Sequence, residues 1–373
     1  MQKSADTPMP FIQDPNFWYL TGLETEEAVL VLDQIKNEEY IILAPRHEHR
    51  DLWDGIQTNQ EITDRSGIKT VYEHREGWRV LKERLKTAPK IHTMVPPPDM
   101  LKFYDFHTNP SRRILAKKLK RLAPKAAIED LRMAMRDLRI IKQPLEIAAI
   151  QKAIDITFIG LKAVWEARRS FKYEYEVEAL LTYEYRRHGA DGHGFEPITA
   201  AGKNAATVHY MKNNEPLKPT DPLLIDTGAL VEHYSADISR TLLPSSPMND
   251  RYMAVYNAIQ RAHDHAYTLI KPGVLHREYE KEMETFMGEE LIKLGLIKKI
   301  ERKTVRRYFP HVTSHHLGLD LHDLASYDEV WQPGMVLTVE PGMYIPEEGI
   351  GVRIEDDILI TKDSFKLLNP LGV

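Results

Sequence analysis

Leu223-Leu224-Ile225-Asp226-Thr227-Gly228-Ala229-Leu230 and His233-Tyr234-Ser235-Ala236-Asp237-Ile238-Ser239-Arg240-Thr241-Leu242 are the stretches whose reading decides the fold. The first alternates weakly and is apolar enough for a strand; the second reads as the strand returning beside it. A turn centred on Val231-Glu232 sets Asp226 directly opposite Asp237 on one face, with Cβ atoms about 4.5–5.5 Å apart. Two opposed carboxylates repel, so something cationic is expected between them.

The pattern recurs downstream. Met335-Val336-Leu337-Thr338-Val339-Glu340 and Ile350-Gly351-Val352-Arg353-Ile354-Glu355-Asp356-Asp357-Ile358-Leu359-Ile360 both read as strands. Between them Pro346-Glu347-Glu348-Gly349 is turn chemistry, and a turn centred on Glu347 and Glu348 faces Glu340 with Glu355. Pro341-Gly342 is the place where a bulge would spoil that register. Two hairpins with opposed acids point to an ion site, to which His315 adds one imidazole. The chain has no cysteine, so this is not the thiolate-rich closed site of structural zinc. Oxygen ligands favour manganese, magnesium or calcium, and the imidazole tilts the choice toward manganese, cobalt or zinc. Four carboxylates carry more charge than one divalent ion needs. Two ions about 3.5–4 Å apart with shared carboxylates fit better.

These segments resemble the pita-bread metallopeptidases, family M24, in the branch holding aminopeptidase P and the Xaa-Pro dipeptidases (prolidases). Ile225-Asp226-Thr227-Gly228 with Asp237-Ile238-Ser239-Arg240-Thr241 looks like the family's paired-aspartate hairpin. His311-Val312-Thr313-Ser314-His315-His316-Leu317-Gly318-Leu319-Asp320-Leu321-His322-Asp323 resembles its histidine segment, and Thr338-Val339-Glu340-Pro341-Gly342 and Val352-Arg353-Ile354-Glu355-Asp356 its two glutamate segments. Four motifs in family order are far more specific than any one short pattern.

The resemblance implies an α+β fold. A pita-bread catalytic domain, a curved antiparallel sheet flanked by helices, is expected over residues 139–373. A smaller mixed α/β, creatinase-like domain is expected over residues 1–138. It implies two divalent metal ions, manganese first and cobalt or zinc as alternatives. Asp226 would chelate one ion, Asp237 and Glu355 would bridge both, and His315 and Glu340 would hold the other. His209 would contact the scissile peptide, and His322 would steady the tetrahedral intermediate or shuttle a proton. His311 would line the proline pocket, and Arg353 would stand beside the metals. The implied reaction is attack of a metal-bridging hydroxide on an Xaa-Pro peptide bond, releasing the N-terminal residue. Aminopeptidase P-like action on longer proline-containing peptides is preferred, with an Xaa-Pro dipeptidase or a non-catalytic pita-bread binding module as alternatives. Relatives form dimers or tetramers, so a homo-oligomer is expected.

Departures from the family pattern are mild. His316 stands where close relatives often have a large apolar or aromatic residue, Ser239 where threonine is usual, and His233 near a turn where glycine is common. The chain opens almost directly on Gln13-Asp14-Pro15-Asn16-Phe17-Trp18-Tyr19-Leu20-Thr21-Gly22, so a shortened first domain is expected.

Bulk properties agree. The chain has 373 residues, 42% of them hydrophobic, and a net charge of −5. That length calls for two cores, and the acidic balance argues against nonspecific nucleic-acid binding. No apolar run is long enough to span a membrane and no signal-peptide core follows Met1, so a cytoplasmic enzyme is the default expectation. The basic run Arg112, Arg113, Lys117, Lys118, Lys120, Arg121 and Lys125 reads as a solvated helix face, and Trp53 as ordinary packing.

In the first domain Ala28–Leu32 and Tyr40–Ala44 form an expected hairpin around Lys36-Asn37-Glu38. Lys90–Val95 is a strand ended by Pro96-Pro97-Pro98, and Ser111 is the expected N-cap of a helix from Arg112 to Leu122. In the second domain the spacing of Ile147, Ile150, Ile154, Phe158, Leu161 and Trp165 predicts one helical stripe starting near Pro144. Further helices are expected over Tyr175–His188, Asn249–Ile270 and His276–Leu294, stopped by Gly189, Lys271-Pro272-Gly273 and Gly295.

Overall fold

The computed structural model describes residues 2–4, 7–45, 52–53, 55, 57–95 and 110–369. The chain divides into two compact units, Met1–Met135 and Arg136–Val373.

In the first unit, Val29–Asp33 pairs antiparallel with Glu38–Ile42, which continues in parallel to Val71–Tyr72. Lys90–Thr93 pairs in parallel with Ala127–Asp130; the expected stop at Pro96-Pro97-Pro98 lies outside the described residues. The helix Asn59–Ser66 has clear local causes. Thr58 and Glu61 form a reciprocal capping box, and Gly67 ends the helix in the left-handed region. The basic helix is Ser111–Leu122, with Pro110 rather than Ser111 at the cap position. Proline's fixed φ suits the start of a helix, so the serine sits one residue inside. Arg112 pairs with Asp14 at 2.6 Å, and the Lys118 ammonium lies 3.2 Å over the Trp78 ring, while Arg113, Lys117, Arg121 and Lys125 face solvent. Trp53 is 82% exposed, contrary to the packed position expected for it.

The second unit contains the candidate site. Its long helices are Pro144–Ala167, Glu174–Arg187, Asp250–Leu269 and His276–Lys293. Each lies within a residue of its expected end, apart from the first, whose end the sequence left open. Ile150, Ile154, Phe158 and Leu161 are buried along the predicted stripe, whereas Trp165 is 42% exposed beneath the Arg168 guanidinium. Against these helices pack antiparallel ladders with fully buried positions along their length. No described helix is long and apolar enough to cross a membrane.

Both carboxylate hairpins form, and each is interrupted midway. The second keeps the predicted register throughout. Val339 faces Asp356 in one ladder and Gly342 faces Arg353 in the next, so Glu340 and Glu355 fall opposite each other in the gap. Pro341 therefore interrupts the hydrogen bonding without slipping the register.

The first hairpin differs from expectation. Leu230 faces Ser235 and Val231 faces Tyr234, so the turn pivots on Glu232-His233. Both residues are left-handed, with φ of 49° and 66°, as a two-residue hairpin turn requires. Asp226 consequently faces Ser239 rather than Asp237. Moving the pivot by one residue shifts the pairing by two and preserves each side chain's face. The two aspartates are diagonal neighbours instead of a direct pair. The interruption falls at Gly228, where an added Cβ would lie 1.7 Å from the Ala236 carbonyl oxygen. Only glycine permits that approach.

Candidate metal centre

The hairpin gaps place the acids. Asp237, Glu340 and Glu355 lie outside the paired ladders, and Asp226 sits one residue before the end of its strand. The hairpins are joined side by side: the Glu355 N–H donates to the Ser239 carbonyl at 3.0 Å, and the Thr241 hydroxyl donates to the Arg353 carbonyl at 3.0 Å. The histidine segment runs alongside. The Glu340 N–H donates to the Thr313 carbonyl at 2.7 Å, and the Thr338 N–H to the His315 carbonyl at 3.0 Å.

Side chains converge as a result. Asp237, His315 and Glu355 each bring a ligand atom within 4.8 Å of the others. His315 Nε2 is 3.3 Å from Asp237 Oδ2 and 3.4 Å from Glu340 Oε1. Its Nδ1 lies 3.1 Å from the His316 carbonyl. A carbonyl only accepts, so Nδ1 carries the proton and Nε2 turns its lone pair toward the acids. Burial draws the His315 pKa down to about 4, so the ring is neutral at pH 7. Burial also raises Asp237, Glu340 and Glu355 well above the usual carboxylate range. Mutual repulsion adds to each, from Asp226 and Glu340 on Asp237, from Glu355 on Glu340, and from Asp237 on Glu355. A lone pair and several acid oxygens facing one another at this range form a cation's ligand set.

Asp226 completes the group. One oxygen takes a 2.5 Å ion pair from Arg353 Nη2; the other, Oδ1, is buried with no hydrogen-bond partner. Such an orphan acceptor fits a cation as its partner. The donor set therefore fits divalent metal.

The remaining expected residues surround this cluster. Arg353 is buried and donates to Asp226, to Ser239 Oγ at 2.7 Å and to the Tyr344 hydroxyl at 2.5 Å. Tyr344 in turn reaches His311 Nε2 at 2.9 Å, and His311 Nδ1 lies 2.8 Å from the Val312 carbonyl. Burial, then the Arg353 charge, lowers the His311 pKa to about 3. Both its nitrogens are engaged, leaving the ring faces as walls. His322 is exposed with its ring edge-on to His315, centroids 4.4 Å apart. Crowding by the surrounding protein, then His315 and His209, lowers its pKa. His209 is exposed and acts electrostatically on both His311 and His322.

Sequence reasoning missed several supports. Ser239 was noted only as a departure, yet its hydroxyl donates to Glu355 at 2.7 Å while accepting from Arg353. Glu280 accepts the N–H groups of Thr313 and Ser314 at 2.9 Å each, fixing the histidine segment. Asp357 accepts the Asp237 N–H at 3.0 Å. Tyr344 was legible in principle, since Glu340, Gly342 and Tyr344 share one face of a strand.

Residues 148–362 match the model of metallopeptidase family M24, and residues 1–92 match that of the aminopeptidase P N-terminal domain. The chain belongs to family M24. This M24 chain is 31% identical to the Xaa-Pro aminopeptidase of Haemophilus influenzae, covering 98% of itself and 87% of that relative. It is likewise 31% identical to the Xaa-Pro aminopeptidase of Escherichia coli, covering 96% and 86%. Among solved structures, zinc-substituted E. coli aminopeptidase P in complex with product superimposes with a TM-score of 0.87 at 28% identity, covering 100% of this chain and 89% of that one. The M24 chain is thus a metal-dependent hydrolase on the pita-bread fold, with an aminopeptidase P-type N-terminal domain.

Proposed function

We propose that this M24 enzyme is an Xaa-Pro aminopeptidase: it releases the N-terminal residue from peptides whose second residue is proline. The observation that carries the reading is the convergence of Asp237, His315 and Glu355 within 4.8 Å, with Glu340 and the orphan oxygen of Asp226 beside them. Asp226, Asp237, His315, Glu340 and Glu355 would hold two divalent ions, with manganese the first choice for an oxygen-rich set with one imidazole. When bound, such a pair makes water acidic enough to be a nucleophile at neutral pH and polarises a carbonyl.

The chain's own residues do the rest. Arg353 neutralises and orients Asp226, and through Tyr344 it holds His311; it is a positioning residue. His311, neutral with both nitrogens engaged, offers an apolar wall suited to a proline ring, whose tertiary amide has no N–H to satisfy. His322, edge-on to His315, and His209 would donate hydrogen bonds to the scissile carbonyl and to the leaving imino nitrogen. The proposed setting is the cytoplasm, as a dimer or tetramer whose size light scattering reads directly.

Manganese-loaded protein should release free Xaa from Xaa-Pro-Yaa-Zaa peptides faster than it splits Xaa-Pro dipeptides, and should not cleave Xaa-Ala-Yaa-Zaa at a comparable rate. Turnover of the dipeptide alone would reassign it to the dipeptidases. Metal binding without hydrolysis of either would leave only a binding module.

A further inference from the structure

Glu174 opens the helix Glu174–Arg187 and is fully buried. Glu176 already caps that helix, its carboxylate accepting from the Lys172 and Tyr173 N–H groups at 2.5 and 3.4 Å. The Glu174 carboxylate instead turns to a single loop. One oxygen accepts from the Ala201 N–H at 2.8 Å and the Asn204 amide at 2.9 Å. The other accepts from the Tyr210 hydroxyl at 2.8 Å and the Glu215 N–H at 3.0 Å. Two donors on each oxygen fill the capacity of a carboxylate, and bonds to a charged acceptor are about twice as strong as neutral ones.

The backbone closes the same loop. The Glu174 N–H donates to the Glu215 carbonyl at 3.1 Å, the Leu217 N–H to the Lys172 carbonyl at 2.8 Å, and the Thr199 hydroxyl to the Glu174 carbonyl at 3.1 Å. One buried charge thus fastens the loop at its start, twice within and at its end. His209 lies between the two inner fastenings, adjacent to Tyr210, and reaches solvent.

We propose that Glu174 is a positioning residue for the reaction: through Tyr210 it fixes where the His209 imidazole meets the peptide. This rests on the reading of His209 as a substrate contact. A group that must meet a transition state within a fraction of an ångström gains from a loop tied at four points, and a small misplacement is costly.

A double-mutant cycle on fully manganese-loaded enzyme, with an Xaa-Pro-Yaa-Zaa peptide, tests it. Tyr210→Phe removes one donor and leaves Glu174 three. It should lower kcat about tenfold, with KM and bound metal nearly unchanged and the melting temperature lowered only as far as the loss of one hydrogen bond allows. Added to His209→Ala, it should cost nothing further, because the two act as one unit. Glu174→Gln should show the same dependence on His209. Full activity in Tyr210→Phe, or an equal loss with and without His209, overturns the positioning role. Unchanged kcat/KM in His209→Ala alone overturns the reading of His209 itself, and the proposal with it.

Discussion

Asp237 packs against other acids without a strand partner, and burial keeps it there at the cost of a raised pKa. Asp237→Asn should therefore act oppositely on the two forms of the protein. In metal-loaded enzyme it removes a ligand, and activity should fall more than ~10²-fold, beyond the usual effect of losing a group that only supports a ligand. In chelated protein it relieves repulsion, and the melting temperature should rise; a fall would show that charge repulsion does not govern the metal-free state. The pH dependence follows from the same groups. Asp237, Glu340 and Glu355 have folded pKa values above their unfolded ones. Above their unfolded value, about 4, these three groups keep protons in the folded metal-free chain that the unfolded chain has lost, so their contribution to stability falls as pH rises. The imidazoles of His311, His315, His316 and His322, lowered in the fold, act in the opposite sense below about pH 6.5. Scanning calorimetry of chelated protein from pH 5 to 8 should therefore show the melting temperature of Asp237→Asn gaining on that of the wild type as pH rises. A constant or shrinking difference would refute this assignment.

The hairpins show how far local sequence reaches. In the second, Pro346-Glu347-Glu348-Gly349 marks the pivot unmistakably, and the observed pairing follows it. In the first, the pivot falls on Glu232-His233, both left-handed without glycine or asparagine to signal it. A tertiary contact supports that turn: the Glu232 N–H donates to Asp191 Oδ2 at 2.8 Å. Contacts of that kind leave no trace in the local pattern, so the pivot was misplaced by one residue. The faces survived because strand periodicity is two. Gly228 is the element's weak point. Gly228→Ala would drive a Cβ into the Ala236 carbonyl at 1.7 Å, lowering stability by about 1–3 kcal/mol. It should also loosen metal binding, since Asp226 and Asp237 lie on either side of the contact. Urea titration together with metal analysis reads both; wild-type values for either would mean that the hairpin adapts freely there.

At the scale of the whole molecule, the second unit gathers a dense cluster of buried acids at the junction of two hairpins and a histidine segment, so its stability should depend on the divalent ions that would neutralise them. Chelation should abolish peptide hydrolysis and lower the melting temperature. Restoring manganese at 100 times its dissociation constant should return about 2.7 kcal/mol per site. Melting curves indifferent to chelator and metal would break the link between centre and fold.

The amino-acid sequence determined the family, the long helices of the second unit and the faces on which the acids lie, and it pointed to the candidate ligands. Each of these is written in residue type, spacing or periodicity, which act over a few neighbours. Only the tertiary structure decided that Asp226 faces Ser239, that Arg353 serves Asp226, that Ser239 links Arg353 to Glu355, and that Glu174 gathers the loop bearing His209. Those partners lie far apart in the chain, and their pairing depends on how packed elements meet rather than on any pattern along one of them.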